Sequence, residues 1–171
     1  MATAFAPGKC ILFGEHAVVY GHPAVAVAID AGVEVKLEAS DKWEIKNDHY
    51  SNNFEEFQAS KNPHIQHIIR NVFDYNGLPL KIKIKSNLFS SAGLGSSAAL
   101  SNAMGAALHQ LINPEEKINL IKLAKIGHSA EASAQEGRAS PTDSATSSLG
   151  GCVVVSGEKD EHLNHVFDTS L

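Results

Sequence analysis

Two stretches of this chain alternate strictly between apolar and charged residues. Val33-Glu-Val-Lys-Leu-Glu38 and Leu80-Lys-Ile-Lys-Ile-Lys85 each read as a strand with one buried face and one wet face, as in an antiparallel sheet. Trp43-Glu-Ile-Lys46 repeats the pattern over a shorter span. Ala2–Phe13 reads as a strand bent at Pro7-Gly8, because proline cannot donate to a sheet ladder. Gly14-Glu15-His16 begins a turn and Gly21-His22-Pro23 punctuates the return. Ala24–Ile29 follows as a short buried strand. Residues 47–61 are polar without a clear period, and predict a loop with a helical turn.

The period then lengthens. From Pro63, with Asn62 as cap, Ile65, Ile68, Ile69, Val72 and Phe73 fall on one helical face, and Asn76-Gly77 supplies a stop. Ser96–Ile112 reads as a helix whose Ala98, Ala99, Ala103, Ala106 and Ala107 permit close packing. Asn113-Pro-Glu-Glu116 carries a helix-start signature, predicting a helix to about Ala134 with His128, Glu131 and Gln135 on one face. Residues 137–148 read as a polar loop holding Asp143. Gly150–Ser156 reads as a buried strand, and a turn leads to a weak last strand, His162–Phe167. No repeat, low-complexity tract or linker interrupts the chain, so residues 1–171 form one domain.

Composition narrows the function classes. Hydrophobic content of 43% and charged content of 19% describe a soluble globular protein, and 171 residues can bury one substantial core. A formal charge of −5 argues against nucleic acid as the main partner. No run approaches a membrane span and the amino terminus lacks a signal pattern, so a cytoplasmic protein is expected. Cys10 and Cys152 lie in apolar segments far apart, and are read as free buried thiols.

The chemistry concentrates in Phe89-Ser-Ser-Ala-Gly-Leu-Gly-Ser-Ser-Ala-Ala99, between the lysine-edged strand and the alanine-rich helix. Glycine allows close backbone approach to a ligand, and a helix start offers unpaired N–H groups and a positive dipole end. The hydroxyls of Ser96 and Ser97 add donors, or ligands for a hard cation. The stretch therefore reads as a phosphate cradle. It is not a Walker loop, since no lysine follows Gly95, and the one-wet-face strand before it does not suit a dinucleotide fold.

Elsewhere, Lys9 stands in an apolar strand, where a charge is costly unless paired. Glu15 and His16 occupy a turn that can project into a cleft. Singly, each candidate has a bland reading: Lys9 snorkels, Asp143 caps a helix, and Glu131 is a solvated helix charge. His64-x-x-His67 and His162-x-x-His165 lack companions at zinc-site spacing.

In combination these segments resemble a known family. The stretch from Ala6 through Pro7, Gly8, Lys9, Gly14, Glu15 and His16 to Gly21 resembles the first signature of the galactokinase, homoserine kinase, mevalonate kinase and phosphomevalonate kinase superfamily. Its Gly-Glu-His-Ala-Val-Val-Tyr-Gly ending is similar to that of the mevalonate kinases within it. Gly93-Leu-Gly-Ser-Ser-Ala-Ala99 resembles the second signature. Ala139-Ser-Pro-Thr-Asp143 with Gly150-Gly151 is similar to the segment bearing the catalytic aspartate, in its archaeal form.

The resemblance implies an α+β fold: a mixed, largely antiparallel sheet with helices packed on one face, like domain 2 of ribosomal protein S5. It implies ATP and Mg²⁺ as cofactors and transfer of the γ-phosphoryl group to the 5-hydroxyl of mevalonate. Asp143 would be the base and Lys9 its ion partner, which would also stabilise the transferring group. Phe89, Ser90, Ser91, Ala92, Gly93, Leu94, Gly95, Ser96, Ser97, Ala98 and Ala99 would wrap the ATP phosphates. Ser97 and Glu131 would hold the metal. Glu15 and His16, with Ser140 and Thr142, would contact mevalonate.

Departures from the family pattern are visible. Phe89 and Ser91 stand where the loop usually has proline and glycine, and Glu136 is an extra residue after the Glu131 helix. The third, glycine-rich signature belongs to a carboxy-terminal domain beyond these 171 residues. The expectation is an amino-terminal kinase domain whose missing half is its partner, with little activity alone and a homodimer as a further form. Alternatives are a phosphomevalonate or galactose kinase, and a non-catalytic nucleotide- or partner-binding domain.

Overall fold

A computed structural model describes residues 1–16, 20, 22–48, 53–89, 92–135 and 139–155. The expected alternation is realised in one six-stranded sheet. Strands β1 (Ala2–Phe13), β2 (Ala24–Ala39), β5 (Leu80–Ser86), β3 (Glu44–Asn47) and β4 (Glu55–Glu56) lie side by side in that order. Strand β6 (Cys152–Val155) joins β2. Only the β3–β5 pair is parallel among the described strands. Leu80, Ile82 and Ile84 point into the core beside Val33, Val35 and Leu37 of β2. Lys81, Lys83 and Lys85 point outward, near Glu44, Asp48 and Glu34. Those half-exposed pairs contribute little stability each.

Four helices cover the apolar face: α1 (Pro63–His67), α2 (Ser96–Ile112), α3 (Leu120–Ala134) and α4 (Pro141–Leu149). Ile65, Ile68 and Ile69 are buried as their spacing requires. The alanines of α2 let it lie close over the sheet, with Ala99, Ala103, Met104, Ala107 and Leu108 in the main core.

Several boundaries differ from the sequence expectation. The segments Ala24–Ile29 and Val33–Glu38 are one strand, β2, which changes partner midway. Its first part pairs β6 through Ala24–Val27, and its second pairs β5 from Val33 to Ala39. The expected loop over residues 47–61 contains the short β4 and a 3-10 turn, Ala59–Lys61. The helix from Pro63 widens into a π-helical stretch, Ile68–Val72, and ends before Asn76-Gly77. Asn62 does not cap it; its Nδ2 donates to the Gln58 carbonyl instead, at 3.0 Å.

Helix α3 starts at Leu120 rather than Asn113, because Asn119 is the residue whose side chain accepts from Lys122 N, at 3.0 Å. Residues 137–148 are not a polar loop: the described part from Pro141 is α4, whose Thr142, Ser144, Thr146 and Ser147 are buried. Cys10 and Cys152 are free as expected, but Cys10 is exposed, since alternation along β1 turns it away from buried Lys9. The expected strand His162–Phe167 lies outside the described residues.

Candidate active site

The site is built where β1 breaks its register. Pro7 pairs with Gly32 but Lys9 pairs with Ala28, so Gly8 has no partner in the ladder. A side chain at Gly8 would meet Leu88 Cδ2 at 2.6 Å and the Leu94 carbonyl at 2.9 Å, so only glycine lets the loop before α2 settle there. The backbone N–H of Lys9 then donates to the Leu94 carbonyl at 2.9 Å, tying strand to loop.

The loop turns on two left-handed glycines, Gly93 and Gly95, both at φ +70°. Gly95 is the N-cap of α2 and adds no side-chain cap, so the first-turn N–H groups of Ser96, Ser97 and Ala98 have no intrahelical acceptor. Ala92, Gly93, Leu94, Gly95 and Ser97 line this exposed to half-buried turn, while Ala98 and Ala99 are buried and Phe89 is strongly exposed. Ser90 and Ser91 lie outside the described residues.

Lys9 is buried, and its Nζ lies 3.1 Å from Asp143 Oδ1. Asp143 sits in the first turn of α4. A Cβ on Gly95 would stand 2.9 Å from Lys9 Cγ and 3.7 Å from Asp143 Oδ2. The glycine turn, the lysine and the aspartate are therefore one constellation, assembled from a strand, a loop and a helix.

Beside it lies a buried carboxylate. Ser97 Oγ donates to Glu131 Oε1 at 2.6 Å, and Ser144 Oγ donates to Glu131 Oε2 at 2.7 Å. Burial raises the proton affinity of Glu131; the two hydroxyls lower it, Asp143 adds to the rise and Lys9 opposes it. Among the described residues no group of three or more His, Cys, Asp or Glu forms a metal cage. The Glu131 carboxylate with the Ser97 hydroxyl beside it nevertheless suits Mg²⁺, which is usually bound by one or two carboxylates together with phosphates and water.

The remaining expected residues are less tightly joined. Glu15 and His16 are exposed beyond the end of β1 and make no hydrogen bond or ion pair to Lys9 or Asp143. Ser140 is the half-buried N-cap residue of α4. Thr142 is fully buried with its hydroxyl unpartnered, so its side chain does not face open solvent. Of His128, Glu131 and Gln135, Glu131 alone is buried.

Ser144 and Asn102 were not anticipated from the sequence. Ser144 is one serine in a polar tract, and its partner Glu131 is on another helix. Asn102 is a polar side chain buried among the alanines of α2, as Ser101 and His109 also are, and its Nδ2 donates to the Ser144 carbonyl at 2.8 Å.

A sheet with an α-layer thus carries a glycine turn opening a helix, with a lysine–aspartate pair against that turn, and such a helix start is suited to receive an anion. Residues 63–151 match the GHMP kinases N terminal domain, and the chain belongs to that family. It is 33% identical over 180 residues to mevalonate kinase of Pyrococcus furiosus, covering 94% of this chain and 53% of that protein. It is likewise 33% identical to mevalonate kinase of Methanocaldococcus jannaschii, covering 96% and 57%. The crystal structure of the Methanococcus jannaschii mevalonate kinase superposes with a TM-score of 0.78 at 29% identity, over 91% of this chain and 53% of that one. The chain thus spans about half the length of the relatives it matches.

Proposed function

We propose that this chain is the amino-terminal half of the catalytic machinery of a mevalonate kinase, using ATP to phosphorylate the 5-hydroxyl of mevalonate. The observation that carries the reading is the Lys9–Asp143 pair against Gly95, next to the Ser97–Glu131 pair. Phosphoryl transfer needs positioning and charge stabilisation more than covalent chemistry.

In this reading the N–H groups from Gly93 to Ala98 receive the ATP phosphates. Asp143 accepts the proton of the substrate hydroxyl, and Lys9 holds Asp143 in place and offsets charge on the moving group. Ser97 and Glu131 hold Mg²⁺, which when bound neutralises phosphate charge. Glu15, His16 and Ser140 contact mevalonate, while Thr142 is fully buried, its carbonyl accepting from the Thr146 hydroxyl. A carboxy-terminal half of the kind the relatives possess supplies the second wall of the cleft. No helix among the described residues is long and apolar enough to cross a membrane, and the proposed location is the cytoplasm.

The test is coupled ADP release with mevalonate, phosphomevalonate and galactose offered in turn. It is run on the protein alone and with a relative's carboxy-terminal half supplied. Turnover confined to mevalonate is expected. Preference for another acceptor would reassign the substrate, and nucleotide binding without any turnover would point to a binding domain.

A further inference from the structure

The groups assigned to metal and proton handling come from three different helices. Ser97 is on α2, Glu131 on α3 and Asp143 on α4. Their mutual distances therefore depend on how those helices are fixed to one another. One residue touches all three. Ser144 belongs to α4; its hydroxyl donates to Glu131 Oε2 on α3 at 2.7 Å, and its carbonyl accepts from Asn102 Nδ2 on α2 at 2.8 Å. Ser144, Asn102 and Glu131 are all buried, so these bonds form away from competing water.

Successive residues of a helix point about 100° apart. Asp143 reaches toward Lys9, and the next residue grips Glu131. The first turn of α4 is then a rigid spacer between the base and the metal carboxylate. A glutamate has several rotatable bonds, and holding its second oxygen leaves the first aimed at Ser97.

From this geometry we infer that Ser144 is a positioning residue, anchored by Asn102, which orients Glu131 for a divalent cation and sets its distance from Asp143. The inference rests on the metal assignment made above. Partners one layer behind a metal ligand typically matter 10–100-fold in metal affinity, and that is about the loss expected when the hydroxyl goes.

The experiment measures Mn²⁺ affinity of the protein–ATP complex by electron paramagnetic resonance at fixed pH. ATP binding in chelator is measured in parallel, and folding is followed by circular dichroism. Ser144→Ala should weaken Mn²⁺ about 10-fold or more, leave metal-free ATP binding unchanged and retain the native spectrum. Ser144→Thr should restore most of the affinity and Ser144→Val should not. That pair keeps volume constant and decides the matter if the alanine variant fails to fold. Equal Mn²⁺ affinity in the threonine and valine variants overturns the inference. Glu131→Gln serves as the control: if it leaves Mn²⁺ affinity intact, the metal assignment itself fails. If it abolishes binding while Ser144→Ala changes nothing, the positioning role alone is wrong.

Discussion

Lys9 and Asp143, from the first strand and the last helix of the described chain, meet with Nζ and Oδ1 3.1 Å apart. The lysine is buried and the aspartate partly open to solvent, so the pair is anchored on one side and reachable on the other. A charge placed in an apolar strand has found the partner it needs.

Asp143→Asn tests the assigned role of the carboxylate. The amide keeps the shape and a hydrogen-bonding oxygen for Lys9 but cannot accept a proton. Turnover in the active kinase should fall roughly 10²–10⁴-fold, the range for a lost general base, while nucleotide titrations change little. Unimpaired turnover would remove Asp143 from the mechanism. Asp143→Ala should in addition destabilise the fold by about 1–3 kcal/mol, below the 3–5 kcal/mol of a fully buried pair, because water can reach the site.

The two left-handed glycines should respond differently to alanine. Both pay about 1–2 kcal/mol for a Cβ at positive φ. Among the described residues nothing lies within 4 Å of a Cβ at Gly93, whereas at Gly95 it would press on Lys9 Cγ at 2.9 Å. Gly95→Ala should therefore lower Tm more than Gly93→Ala and also displace Lys9. Calorimetry showing equal losses would contradict the contact.

Glu131 gives a prediction with a sign. Its proton affinity is raised in the folded state, chiefly by burial. A raised value means the native state holds the proton more tightly than the unfolded chain does. Its contribution to stability is full below the ordinary glutamate value of about 4.3 and is lost as pH rises through the folded value. Glu131→Gln abolishes that loss. The Tm gap, variant minus parent, should be small near pH 4 and grow positive toward pH 7, at about 2–4 °C per kcal/mol. A gap that does not widen with pH would count against the burial argument.

Gly127, in the middle of α3, supplies a coupling test. Alanine for glycine inside a helix usually gains about 1 kcal/mol. Here the added Cβ would collide with Asn102 Oδ1. Gly127→Ala should destabilise the parent protein and stabilise an Asn102→Ala background. A double-mutant cycle by urea denaturation reads the difference, and additive effects would mean the two residues do not press on each other.

The legible parts of this fold were those governed by period. Leu80, Ile82 and Ile84 against Lys81, Lys83 and Lys85 specified a strand and its buried face, and Ile65, Ile68 and Ile69 a helix face. The glycine turn and the Lys9–Asp143 meeting were readable because several segments together resembled one family; no local pattern joins residues so far apart. Helix α4 escapes the hydrophobic pattern because its buried face is made of Thr142, Ser144, Thr146 and Ser147. Two of these hydroxyls are satisfied within the protein, Thr146 by the Thr142 carbonyl and Ser144 by Glu131, and a pattern search counts them all as polar. Ser140-Pro141 with Asp143 in the first turn was the overlooked start signal. Asn113 carries a helix-start pattern in the sequence, but Asn119 makes the cap.

Strand β2 takes partners from the beginning, the middle and the end of the described chain. On the ribosome this imposes an order. The segment carrying Lys9 emerges early and can pair with β2 at once, but Asp143 and β6 follow only on the order of ten seconds later at typical synthesis speeds. Until then the nascent chain carries an unpaired lysine and an open strand edge, a template for association with other chains. The moment at which this site comes into existence is set by translation, and nascent-chain chaperones have that interval in which to act.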